Sequence, residues 1–148
     1  MPRPSHPSRQ TVLGLACVAA ALAGCGTREP SDEERVRTTL AAFATATAEK
    51  DYQRLCDEVF AKELLSGISG IGLPCEVAIR NSLAEVRDPR LSVGRITVQG
   101  AEASAEVRTS AQGQTPSRDT VRLVRDAQGR WRVSSLGDAG GPEPTPGD

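Results

Sequence analysis

Histidine is almost missing from this chain: it occurs once, at His6. Past that position there is no imidazole, so neither a histidine-ligated metal centre nor a histidine general base working near neutral pH is available. Aromatic side chains are as scarce, with Phe43, Tyr52, Phe60 and Trp131 making up 3% of the residues. A core must therefore be assembled mainly from Ala, Val, Leu and Ile, and the stacking platforms used to hold single-stranded nucleic acid are lacking. Neither sign of charge dominates, since 18 Lys and Arg stand against 19 Asp and Glu. That balance does not fit a polyanion binder, and no nucleic-acid partner is expected. No apolar run reaches the roughly 20 residues that a bilayer-spanning helix requires.

The one extended apolar run lies near the start, from Thr11 to Leu22, behind Arg3 and Arg9. It lasts about 14 residues before Thr27, Arg28, Glu29 and Pro30 end it, which is the anatomy of an export signal. Leu22-Ala23-Gly24-Cys25 follows directly, and this tetrapeptide resembles the lipobox of bacterial lipoproteins. The resemblance implies cleavage after Gly24, diacylglyceryl modification of the Cys25 thiol, and a lipid anchor on the extracytoplasmic face of a bacterial cell membrane. Residues 1–24, with His6 and Cys17, would then belong to no fold. More than one fatty chain makes such anchoring persistent, each buried CH₂ contributing about 0.8 kcal/mol. The tether over 25–30 leaves Gly26 to Pro30 a reach of at most about 18 Å, so the domain that follows sits close to the membrane.

Removing Arg3 and Arg9 leaves 16 basic against 19 acidic side chains, a net charge near −3. Of the four cysteines, Cys56 and Cys75 remain once Cys17 is cleaved off and Cys25 acylated. In an oxidising compartment these two are expected to pair. They lack Cys-x-x-Cys spacing and a histidine companion, which argues against a redox pair or a metal site.

Ser31-Asp32-Glu33-Glu34 reads as a capping box opening a first helix, whose apolar face is Val36, Leu40, Phe43 and Thr47 with Ala44 and Ala48. Asp51 caps a second helix carrying Leu55, Cys56, Val59, Phe60 and Leu64 inward. The stretch Ser66 to Leu73 alternates glycine with apolar residues and reads as an irregular flap; it lacks the order of a nucleophile elbow or a phosphate loop. Pro74 starts a third helix, with Cys75, Ala78, Ile79, Leu83 and Val86 on its inner face, ending at Asp88-Pro89.

Beyond Pro89 the period changes from helical to two. Leu91 and Val93 alternate, Ile96 and Val98 alternate in the opposite phase, and Gly94-Arg95 marks a bulge between them. Ala103, Ala105 and Val107 form a second inward row, Val121 and Leu123 a third, and Trp131 and Val133 a fourth, with Ser135 expected to follow them inward. Gly100-Ala101 and Asp126-Ala127-Gln128-Gly129 are the turns between them. The opposite faces carry Glu102, Glu106, Arg108, Arg122, Arg130 and Arg132, which reads as a solvated face laced with cross-strand ion pairs. Residues 137–148 are Gly, Pro and acid without period, expected to be a disordered tail.

Three N-terminal helices followed by a curved four-stranded antiparallel sheet, over 31–136, resemble the nuclear transport factor 2-like superfamily, an α+β cone of cystatin-like shape. The segments Asp51-Tyr52-Gln53-Arg54-Leu55-Cys56 and Pro74-Cys75-Glu76 look like those of small lipoproteins with this domain. The resemblance implies a pocket inside the cone, with Phe43, Phe60, Val107, Leu123 and Trp131 as candidate lining. Some relatives use such a pocket for isomerase or dehydratase chemistry, with Asp, His or Tyr inside the cone. Here the inward rows are apolar, Tyr52 lies at a helix start, and Asp57 or Glu58 are the nearest acids. The expected function is thus a lipid-anchored binding or interaction module without catalytic activity or cofactor, acting on an envelope protein partner. A carrier of a small lipophilic ligand is the first alternative and an enzyme the second. The charged sheet face favours a monomer.

Overall fold

A computed structural model describes residues 28–70 and 72–137. The expected signal segment over 1–24, the expected lipidation site Cys25 and the expected tail from Asp138 onward lie outside the described residues, and no described helix is long and apolar enough to cross a membrane.

The first helix, α1 (Asp32–Glu49), begins at the expected capping box. The Glu34 amide donates to Ser31 Oγ at 3.2 Å and the Ser31 amide donates to Glu34 Oε2 at 2.6 Å, so two amides that a helix start leaves unpaired are satisfied reciprocally. Val36, Leu40 and Ala46 are buried, while Phe43, Ala44 and Thr47 are half-buried and Ala48 is exposed. Ala46 replaces Ala48 on the inner face because, at about 3.6 residues per turn, it lies one turn beyond Phe43 on the side of Thr39, while Ala48 is rotated away.

The second helix differs from expectation. Asp51 does cap it, accepting from the Arg54 amide at 3.0 Å, but the regular turn α2 (Tyr52–Arg54) gives way to a π-helical turn over Leu55–Val59. The Phe60 amide closes that turn on the Leu55 carbonyl at 2.9 Å. Widening to five residues places Leu55, Cys56, Val59 and Phe60 all in the core, and turns Asp57 and Glu58 to solvent. Phe60 is extended and forms an isolated parallel bridge with Val133. A separate helix, α3 (Lys62–Ser69), then incorporates half of the expected flap. Among the described residues four helices therefore stand where three were expected. The last, α4 (Cys75–Ser82), starts at Pro74 and ends six residues before Asp88, in turns through Val86.

The sheet has the order β1 (Arg90–Gln99), β2 (Glu102–Ser110), β3 (Ser117–Arg125), β4 (Trp131–Ser135), all antiparallel. The β1–β2 register shifts between Val93 and Ile96, where the two inward phases of β1 are joined by the bulge at Gly94-Arg95. Gly100, at φ 62°, makes the two-residue turn between Gln99 and its partner Glu102. A second shift lies between Arg122 and Leu123, whose partners on β4 are Ser135 and Val133. The residue it adds, Ser134, turns Ser135 away from the inward row, correcting its expected direction.

Helices and sheet share one core. Leu40, Leu55, Leu123, Val36, Val59 and Val133 are fully buried, with Trp131 and Phe60 beside them at 3% exposure each. Cys56 and Cys75 are joined by a disulfide that ties the π-helical turn to α4, with 6.2 Å between their Cα atoms.

Candidate functional site

Among the described residues, two concave surfaces and a polar cluster stand out beside the core. The polar cluster closes the end of the sheet where α1 begins. Trp131 Nε1 donates to Asp32 Oδ1 at 3.3 Å, the Arg125 guanidinium lies 3.4 Å from the same carboxylate, and it stacks over the Trp131 ring 5.2 Å from its centroid. Asp32 thus does more than meet the helix dipole: it pairs the one indole N–H of the chain. Nearby, Asp126 Oδ1 accepts from the amides of Gln128 and Arg130 at 3.0 and 2.9 Å. Its Oδ2 accepts from Arg130 Nε and Arg132 Nε at 3.0 and 3.2 Å. Partial burial works to raise the Asp126 carboxyl, but the Arg130 amide, Arg132 and the charge of Arg130 outweigh it and hold the group below the usual carboxylate range.

Arg132 corrects the reading of a solvated face. It is 8% exposed, and its Nη1 donates to the Asp57 carbonyl at 2.8 Å. The open carbonyl end of the π-helical turn and the Asp126 carboxylate together replace its water. The Asp57 carbonyl, 75 residues away in the irregular turn, has no sequence signal, whereas Asp126 lies only six residues from Arg132 in the expected hairpin turn.

The first concavity is an apolar cleft of about 260 Å³ between the C-terminal half of α1, the segment after α4, and the β1 and β2 ends nearby. Phe43, Ala44, Leu83, Val86, Pro89 and Leu91 supply its apolar wall; Arg90 is the one charged residue of the lining, and Thr47, Thr109, Gln114 and Ser117 supply hydroxyl and amide groups. Of the expected lining, Phe43 faces this cleft, with its ring 6.2 Å from that of Phe60. Phe60, Val107, Leu123 and Trp131 do not line it. They are packed in the core, Val107 also bordering a groove on the opposite sheet face. Tyr52, the residue most open to a catalytic reading, is half-buried against the core with the Arg80 guanidinium 5.4 Å above its ring.

The second concavity is a broad polar groove of about 1110 Å³ on the sheet face away from the helices. Its lining includes the small residues Ser92, Gly94, Thr120 and Ser135 together with the charged Glu106, Arg108, Arg118 and Arg122. The expected cross-strand ion pairs do not form here. Register decides this: Arg108 lies opposite Arg118, Glu106 opposite Thr120, and Arg122 between Ser104 and Ser135. Among the described residues there is no group of acids, cysteines or histidines arranged to hold a metal ion.

No family model matches this chain, and none of the curated proteins matches it. Solved structures do. One is an NTF2-like protein of unknown function from Shewanella baltica OS155, 12% identical, covering 72% of this chain and 93% of its own with a TM-score of 0.49. Another is an NTF-2 like protein of unknown function from Silicibacter pomeroyi DSS-3, 16% identical, covering 68% and 87% with a TM-score of 0.49. Similarity at that level transfers neither a site nor an activity to this chain.

Proposed function

We propose that the chain is a lipid-anchored extracytoplasmic binding module on a nuclear transport factor 2-like cone, holding an envelope partner near the membrane without catalysing a reaction on it. The observation that carries this reading is Leu22-Ala23-Gly24-Cys25 set six residues before Ser31, the cap of a rigid helix. So short a connection suits a domain whose role depends on where it is held. The interior supports it too, since the inward rows of all four strands meet the helices through apolar side chains. Mass spectrometry of the native protein is expected to find Cys25 acylated and N-terminal. Cys25→Ser should move the protein from the membrane to the soluble extracytoplasmic fraction; unchanged attachment would sink the reading. In-cell crosslinking of the anchored form should then recover a defined envelope protein.

The cleft beside Phe43 favours a second reading, a carrier of a small lipophilic ligand. At about 260 Å³ it is just under the roughly 300–1,000 Å³ of ordinary ligand pockets, which suits a single short acyl or ring group. Native mass spectrometry of the extracted protein distinguishes the two, a bound lipid of fixed mass favouring the carrier.

A further inference from the structure

The outer groove pairs Arg108 with Arg118 directly across neighbouring strands, an arrangement that costs free energy when nothing lies between the charges. Arg122 adds a third guanidinium on the same face. Among the described residues none of the three is within ion-pair distance of a carboxylate, although Glu106 and Asp119 also line the groove. Asp119 is engaged by the Ser117 hydroxyl at 2.7 Å. Gly94 leaves no room for a side chain there, since an added Cβ would sit 3.3 Å from the Glu106 carbonyl oxygen. The groove thus presents guanidinium groups among small residues, the chemistry that receives carboxylates.

One acidic segment starts at its rim. Gly137 lines the groove and lies against β3, where an added Cβ would be 3.1 Å from the Thr120 carbonyl oxygen. Residues 138–148 continue from it, with Asp138, Glu143 and Asp148 and no basic residue. Extended at about 3.1 Å per residue, these 11 residues span more than the roughly 15 Å width of a four-stranded face. Pro142, Pro144 and Pro146 favour that extension and withhold amides from strand pairing.

We propose that the segment 138–148 docks intramolecularly on the outer sheet face, its carboxylates seated against Arg108, Arg118 and Arg122, so that an acidic partner must displace it. Attachment at the rim gives the segment an effective concentration in the millimolar range without further contacts. The proposal stands apart from acylation of Cys25.

The test follows the side-chain Nε–H NMR signals of the three arginines in the full chain. Neutralising the tail (D138N/E143Q/D148N), which leaves the folded residues untouched, should shift these signals while those of Arg35 and Arg54 stay in place. High salt should produce the same shifts. The neutralised chain should also bind free hexaglutamate about tenfold more tightly, the internal competitor being gone, and R108Q/R118Q should abolish that binding. Signals indifferent to tail neutralisation would overturn the proposal. Shifts that depend on protein concentration would overturn it as well, assigning the face to a second copy of the chain.

Discussion

Asp126 is the single side chain on which most local order depends, accepting from two amides and two arginines at the turn between β3 and β4. Its carboxyl and that of Glu34, held low by the Ser31 amide and then the Ser31 hydroxyl, both titrate below the usual range. A depressed folded-state pKa contributes stability that is fully present above the unfolded pKa and is lost as pH falls through the folded one. Stability should therefore be flat from neutrality down to the ordinary carboxylate range and decline below it, and Asp126→Asn should flatten that acid limb in a urea titration series. Leu40, fully buried in the core, reports on packing instead. Leu40→Ala should cost about 3 kcal/mol in the same measurement. At this scale the capping box and the inward rows are legible because each depends on neighbours close in sequence. Arg132 is not, since a guanidinium in an alternating strand looks solvent-facing until Asp57 and Asp126 are brought to it.

Among the elements, the break between α2 and α3 is the feature that local pattern hides. Phe60-Ala61-Lys62-Glu63 continues a helical pattern without a turn residue, yet the Ala61 amide donates to the Val133 carbonyl at 2.8 Å. A strand distant in sequence competes for that amide and wins, and the π-helical turn absorbs the change of direction. Proline scanning isolates the effect. Ala61→Pro retains an acceptable φ but removes the donor, and should cost about 1–2 kcal/mol in chemical denaturation. Lys62→Pro, at the first helical position of α3, should be near neutral. Equal costs at both positions would mean that the bridge to β4 contributes nothing. The disulfide acts on the same region by joining the π-helical turn to α4. C56S/C75S should lower stability by about 3 kcal/mol in the chain-entropy view, and the native, unreduced protein should show no thiol at either position to a maleimide probe.

On the scale of the whole molecule, the proposed function rests on position and surface. The cleft beside Phe43 gives the carrier reading its own test. Phe43→Trp should fill it and reduce uptake of a fluorescent short-chain fatty acid severalfold, while the membrane attachment proposed for Cys25 should be unaffected. Taken alone, the sequence determined the α+β order of elements, the caps and turns, the bulge at Gly94, the inward rows, and the pairing candidates Cys56 and Cys75. These follow from local periodicity and backbone preference, which operate within a few residues. It also carries the tetrapeptide Leu22-Ala23-Gly24-Cys25 on which the proposed lipid anchor rests. Only the tertiary structure decided that the second helix breaks at Phe60, that Arg132 is buried, and that Trp131, Phe60 and Leu123 fill the interior while Phe43 borders a cleft. It alone set Arg108 opposite Arg118. Each of these depends on which distant groups meet, through strand register, competition for a backbone amide, or the volume left between helices and sheet, and such encounters have no signature in any short stretch of chain.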